Sequence, residues 1–510
     1  METITTAKPP VLEASAPVQG LRLWQSVVLA VGAVGSFHFA FMVPALCWLA
    51  LAYLGCLFAL RRLATARQAF YVGLAIGLGV FVPQMGFLWT IFQAAAIPLW
   101  LILALFHAAF LLLLNRVEFR LGTKWAVILA PVLWCGIEYF RSEVWWLRFA
   151  WFKPAECLPL WISHSNLFWF GSYGTGFLLA FAGSQLAVAG SNANPKLRSR
   201  AWAGFCVAFA TFGLIFFLHA LSSFGPSVRL KVAGLQLEVP AVPDVLAGLD
   251  KLAKAHPDAE LLLLSENTFA DGPPPPSVKA WCQRNSKWLV VGGKQPIEPG
   301  SRRGDEAESP AHPPLRLLTS AATKERFYNT AFVISTNGEV VFTQAKSRPI
   351  QFFADGEPAP SQRVWDSPWG KLGIAICYDA SFRQVTDELI RQGAVALLIP
   401  TMDVEQWGEH QHRLNARMAR LRAAEYRVPV FRVASSGISQ IIARDGREIA
   451  TAPFPGQGEM IAGELRWSAK GGNVPLDVWL APACTWATGG VMLWLGALAW
   501  RDRRNRKAAR

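Results

Sequence analysis

Between Leu23 and Leu60 the chain has no aspartate, glutamate, lysine or arginine, and the same is true from Gln68 to Asn115. Cys157 to Pro195, Ala201 to Val228 and Val478 to Trp500 are also free of these residues. An α-helix needs about 20 apolar residues to cross the hydrocarbon core of a bilayer. Runs of this length predict membrane helices, and the three longest can each hold two. Seven helices are expected before residue 226, at 24–42, 43–60, 70–92, 96–114, 124–141, 168–190 and 203–223, with an eighth at 478–499. Leu158 to Asn166 is polar enough to form a surface loop.

Charge placement sets the expected orientation. Arg61, Arg62 and Arg67 follow the second helix, Arg116, Arg120 and Lys124 the fourth, and Lys196, Arg198 and Arg200 the sixth. The end of the chain carries Arg501, Arg503, Arg504, Arg506, Lys507 and Arg510. The alternate loops are nearly bare, apart from Arg141, Arg148 and Lys153. The positive-inside rule then puts both termini in the cytoplasm and residues 226–476 on the opposite side. Basic residues at an anionic inner leaflet account for the net charge of +14 without a nucleic-acid partner. The first apolar run is too long for a cleavable signal peptide. The expected organisation is a cytoplasmic tail (1–22), a membrane domain (23–225), an extramembrane domain (226–476), a last helix (477–500) and a basic tail (501–510).

From Arg229 short apolar runs alternate with amphipathic stretches. Strands are expected at 229–237, 260–265, 288–292, 328–334, 340–344, 371–377, 394–400, 428–434, 438–443 and 460–465. Helices are expected at 245–255, 277–285, 382–392 and 410–426, giving layered α/β packing. Ile297–Ala322, rich in Pro, Gly and Ser with mixed charge, reads as a mobile insertion. The eight cysteines show no paired spacing, which argues against a disulfide framework. His410 and His412 stand two apart on an expected helix, so they make a poor metal pair and read as exposed residues at a helix start.

Three expected strands end in residues that can do chemistry. Leu261 to Leu264 runs into Ser265-Glu266, Val340 to Ala345 into Lys346, and Lys371 to Ile376 into Cys377-Tyr378-Asp379. Taken singly, Cys377 fits a small core residue, Glu266 a solvated strand end and Lys346 a snorkelling side chain. Together they form an acyl-transfer set of base, stabilising cation and nucleophile.

In this order Glu266, Lys346 and Cys377 resemble the Glu-Lys-Cys triad of the nitrilase (carbon-nitrogen hydrolase) superfamily. With the flanking helices the chain is similar to the membrane-embedded branch of that superfamily, the apolipoprotein N-acyltransferase family. The membrane part carries Pro131-Val-Leu-Trp134, Glu138-Tyr-Phe-Arg141, Phe149-Ala-Trp151 and Tyr173-Gly174. The other part carries Gly234-Leu-Gln236, Tyr328-Asn329-Thr-Ala, Arg422-Ala-Ala-Glu425, Pro429-Val-Phe-Arg432 and Ser436-Gly-Ile-Ser439. The resemblance implies an αββα sandwich joined to about eight membrane helices. It assigns Glu266 as base, Lys346 as stabilising lysine, Cys377 as nucleophile and the Tyr378 N–H as oxyanion donor, with Glu357 of Gly356-Glu357 as a supporting glutamate. Ser265, Asn267, Asp379 and the Ser435-Ser436 pair depart from the usual Pro, Thr, Glu and Asn-Thr, and the segment after Asp403 is looser than the family's.

The resemblance further implies ping-pong transfer of an acyl chain from a phospholipid, through a Cys377 thioester, to the amino group of a lipid-modified prolipoprotein. That places the protein in a bacterial inner membrane, as a monomer, with its catalytic domain on the periplasmic side and no cofactor or metal. Trp145, Trp146, Phe149 and Trp151 are expected at the rim that admits acyl chains, or as an interfacial aromatic belt. One rival is a membrane-anchored amidase of the nitrilase type. A second is a transporter or scaffold with an inactive domain, in which His38, His107 and Glu138 would line a pathway.

Overall fold

A computed structural model describes residues 20–191, 194–220, 227–297, 326–468 and 471–508. All of the expected insertion beyond Ile297 lies outside the described residues.

The N-terminal part is helical: α1 (Leu23–Met42), α2 (Leu49–Ala59), α3 (Ala66–Gln84), α4 (Phe87–Phe92), α5 (Ala96–Leu121), α6 (Thr123–Tyr139), α7 (Leu160–Ala189) and α8 (Pro195–Ala220). Two expected helices are broken. The span 43–60 becomes a 3-10 turn at Pro44–Leu46 followed by the short α2, because a proline ring blocks continuation from α1. The span 70–92 divides at Met85-Gly86, just beyond Pro83, which frees α4 to turn away from α3. Conversely, the loop expected over Leu158–Asn166 is mostly the first turns of α7. That helix bends at Gly171 (φ 68°), where a Cβ would overlap the carboxylate of Asp477.

The α/β part runs β1 (Ser227–Leu235), α9 (Val242–Ala255), β2 (Leu261–Leu264), α10 (Pro276–Asn285), β3 (Trp288–Pro296), β4 (Phe327–Ile334), β5 (Val340–Ala345), β6 (Val364–Ser367), β7 (Gly370–Ile374), α11 (Arg383–Arg391), β8 (Ala396–Thr401), α12 (Glu409–Tyr426), β9 (Val430–Ala434), β10 (Ser439–Ile442), β11 (Glu448–Ala452) and β12 (Met460–Ser468). A long helix, α13 (Asp477–Ala508), follows. Four segments, Leu23–Met42, Ala66–Gln84, Phe87–Leu121 and Asp477–Ala508, are long and apolar enough to cross a membrane among the described residues.

The strands form two six-stranded sheets, ordered β12-β1-β2-β3-β4-β5 and β11-β10-β9-β8-β7-β6. Parallel β1, β2 and β3 form the middle of one, and parallel β7, β8 and β9 the middle of the other. Strands buried on both faces read as continuous apolar runs, as Leu261 to Leu264 does. Val232, Leu263, Val290 and Val333 of the first sheet pack on Ile374, Leu398, Phe431 and Val433 of the second. Helices α9 and α10 cover the outer face of the first sheet, and α11 and α12 that of the second. The result is an αββα sandwich. The sequence pattern missed the edge strands β6 and β11, which are only four and five residues long.

A buried charge network ties this sandwich to the helices. Arg383 of α11 pairs with Asp387, with Glu425 of α12 and with Asp477 of α13. Glu425 also pairs with Arg422 and accepts the Ser172 N–H of α7 at 2.7 Å. Glu143, in the turn after α6, accepts the Arg383 N–H at 2.8 Å and the Tyr173 hydroxyl at 3.0 Å.

Candidate active site

Glu266 follows β2, Lys346 follows β5, and Cys377 lies beyond β7 at the start of a 3-10 turn. All three are buried. The strand ends therefore deliver them to one place from two facing sheets. Lys346 Nζ lies 2.7 Å from Glu266 Oε1 and 2.7 Å from Asp355 Oδ2. Asn329 Nδ2 of β4 donates to both carboxylates, at 2.7 Å each. The Met402 N–H donates to Glu266 Oε2 at 2.9 Å, and the Met402 carbonyl accepts from Cys377 Sγ at 3.7 Å. One peptide residue thus bridges carboxylate and thiol. Asn415 Nδ2 of α12 reaches the sulfur at 3.8 Å and Asp403 Oδ1 at 2.8 Å, and Arg432 pairs with Asp403.

The backbone is built for this convergence. Cys377 has φ 49°, a left-handed conformation that costs a non-glycine residue on the order of 1 kcal/mol or more and turns its side chain out of the strand line. Gly292 of β3 lies so close that a Cβ would sit 2.6 Å from the Glu266 Cα. Asp379 accepts N–H bonds from Ser347 (3.1 Å), Arg348 (2.7 Å) and Ile376 (3.2 Å), so it fastens the lysine loop to the cysteine turn.

Burial pushes the Cys377 thiol well up, Glu266 pushes it the same way, and Lys346 opposes both. Burial also raises Glu266, against the pull of Lys346. Burial alone would lower Lys346, but Asp355 and Glu266 more than reverse this and hold it protonated. Burial brings Asp379 up to about 6, against Lys346 and its three backbone donors. At rest the site is a protonated thiol beside a carboxylate–ammonium pair. Such a set can pass the thiol proton to the carboxylate as sulfur attacks an acyl carbon.

The cysteine opens onto an apolar cleft with about 910 Å³ of empty space, some of it open to solvent. Phe87, Leu88, Ile91 and Phe92 of α4 and Leu99, Ile102 and Leu103 of α5 line it. Phe149, Trp151, Ile350, Phe352, Phe353 and Trp407 add to the apolar wall, and Arg148, Gln351, Gln411 and Asn415 are polar residues of the same lining. Helices of the N-terminal part and loops of the sandwich therefore share one chamber.

Residues 31–185 match the apolipoprotein N-acyltransferase N-terminal domain, and residues 313–468 the carbon-nitrogen hydrolase family. The apolipoprotein N-acyltransferase of Geobacter metallireducens is 23% identical over 78% of this chain and 79% of its own. That of Sinorhizobium medicae is 24% identical over 75% and 77%. The chain is similar to the apolipoprotein N-acyltransferases along most of its length. The enzyme of that name from Brucella suis is 27% identical over 37% of this chain, and the match spans only about 40% of the relative's length. Among solved structures, Saccharomyces cerevisiae Nit3, of the nitrilase superfamily, matches 46% of this chain and 90% of its own at 20% identity and a TM-score of 0.37.

Compared with the expectations drawn from the apolipoprotein N-acyltransferase family, some residues sit elsewhere. Glu357 is not at the site: it pairs with Arg326 at the surface, 3.3 Å away. Asp355, two residues earlier, takes the place beside Lys346 because the turn before Gly356 points it inward. Of the four aromatics, Phe149 and Trp151 line the cleft. Trp145 packs on Phe106 and Phe140 instead, and Trp146 is 58% exposed. The Tyr378 ring packs on Trp151 and Phe382, and its hydroxyl donates to the Arg148 carbonyl at 3.3 Å. His412 is buried between the carbonyls of Val404 and Gly437, so it is not the exposed residue expected, whereas His410 is exposed in the first turn of α12, with Nε2 2.9 Å from the Gln84 carbonyl. His38 and His107 are held between helices by Gly79, Gln84 and Tyr53. Asn329, Asp355, Met402 and Asn415 carried no strand-end signal; only Asn329 fell within a quoted motif.

Proposed function

We propose that the protein transfers an acyl chain from a phospholipid to the α-amino group of the lipid-modified N-terminal cysteine of lipoproteins, with Cys377 as the acyl carrier. The observation that carries this is the chamber itself: an apolar cleft walled by α4 and α5 ends at a buried thiol flanked by Glu266 and Lys346. A water-soluble amide substrate needs no such wall.

In the first half-reaction Glu266 takes the Cys377 proton as sulfur attacks the ester carbonyl. Lys346 and the Tyr378 N–H stabilise the oxyanion. Collapse breaks the ester C–O bond, and the lysophospholipid leaves with the proton from Glu266. In the second half, Glu266 takes a proton from the incoming amine, the C–N bond forms, and the thiolate leaves and recovers its proton. Eight membrane crossings with both termini in the cytoplasm put the site on the periplasmic side of a bacterial inner membrane, where both lipid substrates are within reach of the cleft.

The test is to incubate the purified protein with phosphatidylethanolamine and measure Cys377 by mass spectrometry, then add a diacylated lipopeptide. An acyl adduct on Cys377 that disappears as the peptide gains the acyl mass is expected. Release of free fatty acid or ammonia alone, or an adduct on another residue, overturns the proposal.

A further inference from the structure

Two arginines beside the cleft lack carboxylate partners. Arg148 lines the cleft next to Phe149, and Arg348 lies two residues beyond Lys346. Neither forms an ion pair among the described residues. Arg148 Nε donates to the Glu143 carbonyl at 2.9 Å. Arg348 Nη2 donates to Gln384 Oε1 at 3.0 Å and Nη1 to the Ser347 carbonyl at 3.4 Å, while its Nε is buried with no partner. Partial burial lowers Arg148 from its ordinary value, the like charge of Arg348 adds to this, and Glu143 opposes both.

A nearby acid could neutralise them, but each candidate is engaged. The Glu143 carboxylate takes the Tyr173 hydroxyl and the N–H groups of Arg383 and Gln384. The Asp379 carboxylate takes three backbone N–H groups, one of them from Arg348. The position is also fixed on both sides. The Arg148 carbonyl holds the Tyr378 hydroxyl, and the Arg348 N–H holds Asp379, so both arginines are anchored to the turn that carries Cys377.

We infer that Arg148 and Arg348 form the binding site for the phosphodiester of the acyl donor, holding the headgroup at the cleft mouth while the acyl chain enters the apolar wall. Guanidinium forks match phosphate oxygens, and one anion at the cleft mouth compensates two partly buried cations anchored to the same turn. The site rests on the acyl-transfer reading and adds to it the feature of the donor that the protein recognises: its phosphate.

The experiment compares two donors with the same acyl esters, dipalmitoyl phosphatidylethanolamine and dipalmitoylglycerol, in mixed detergent micelles. The rate of Cys377 acylation is followed for the wild type, Arg148→Gln, Arg348→Gln and the Lys variant at each position. Each Gln variant is expected to lower the phospholipid-to-diacylglycerol rate ratio on the order of tenfold, with Lys restoring part of it. The neutral donor reports folding in the same sample. An equal loss on both donors, an unchanged ratio, or a defect confined to transfer to the lipopeptide overturns the headgroup site and leaves the acyl-transfer reading intact. Absence of any wild-type adduct with either donor overturns both.

Discussion

At the residue scale, the decisive feature is that Met402 joins Glu266 and Cys377 through its own N–H and carbonyl. The thiol is protonated at rest, because burial and Glu266 outweigh the favourable charge of Lys346. Its reaction with iodoacetamide should therefore be slow at neutral pH and rise as pH rises, since only the thiolate reacts. Lys346 is the strongest influence that lowers this thiol, so Lys346→Met moves the alkylation profile to higher pH. At neutral pH the variant should react about tenfold more slowly for each unit of that movement. A profile that stays in place, or moves to lower pH, would contradict the charge balance described. The sequence signalled Glu266, Lys346 and Cys377 because each follows an apolar strand. Asp355 and Asn415 gave no such signal, because a loop acid and a helical amide reach the site only through contacts between distant segments.

At the scale of elements, α4 and α5 matter most. Pro83 and the Met85-Gly86 break separate α4 from α3, and the short helix then lines the cleft instead of continuing α3. Phe92 meets Phe353 at 5.4 Å, and Phe353 meets Trp407 at 5.9 Å, so α4 also joins the sandwich loops. Ile102 of α5 lines the cleft and is only partly buried. Ile102→Trp should fill that part of the wall and shift the adduct toward shorter chains. With an equimolar mixture of long- and short-chain donors, mass spectrometry of Cys377 should show the long-to-short ratio reduced about threefold or more. An unchanged ratio would mean that the chain does not lie along α5. Hydropathy alone read 70–92 as one helix, since apolar composition continues across the break.

At the scale of the whole molecule, Arg383 holds α11, α12 and α13 together through three carboxylates, with Glu143 and α7 attached to the same cluster. Removing one partner from a buried ion cluster leaves the others uncompensated, at about 3–5 kcal/mol. Arg383→Met should lower the unfolding midpoint in detergent accordingly and abolish Cys377 acylation, although residue 383 does not line the cleft. A midpoint within about 0.5 kcal/mol of the wild type would show that the cluster does not join the two parts. The sequence by itself determined which segments are apolar helices, which are buried strands, and which reactive residues close three of those strands, because these are local patterns of period and polarity. Only the tertiary structure decided that Asp355 and not Glu357 stands beside Lys346, that Trp145 and Trp146 leave the cleft to Phe149 and Trp151, and that Arg148 and Arg348 are both anchored to the turn that carries Cys377. Those outcomes depend on how turns and packed layers bring together residues far apart in the chain, and no local pattern encodes that.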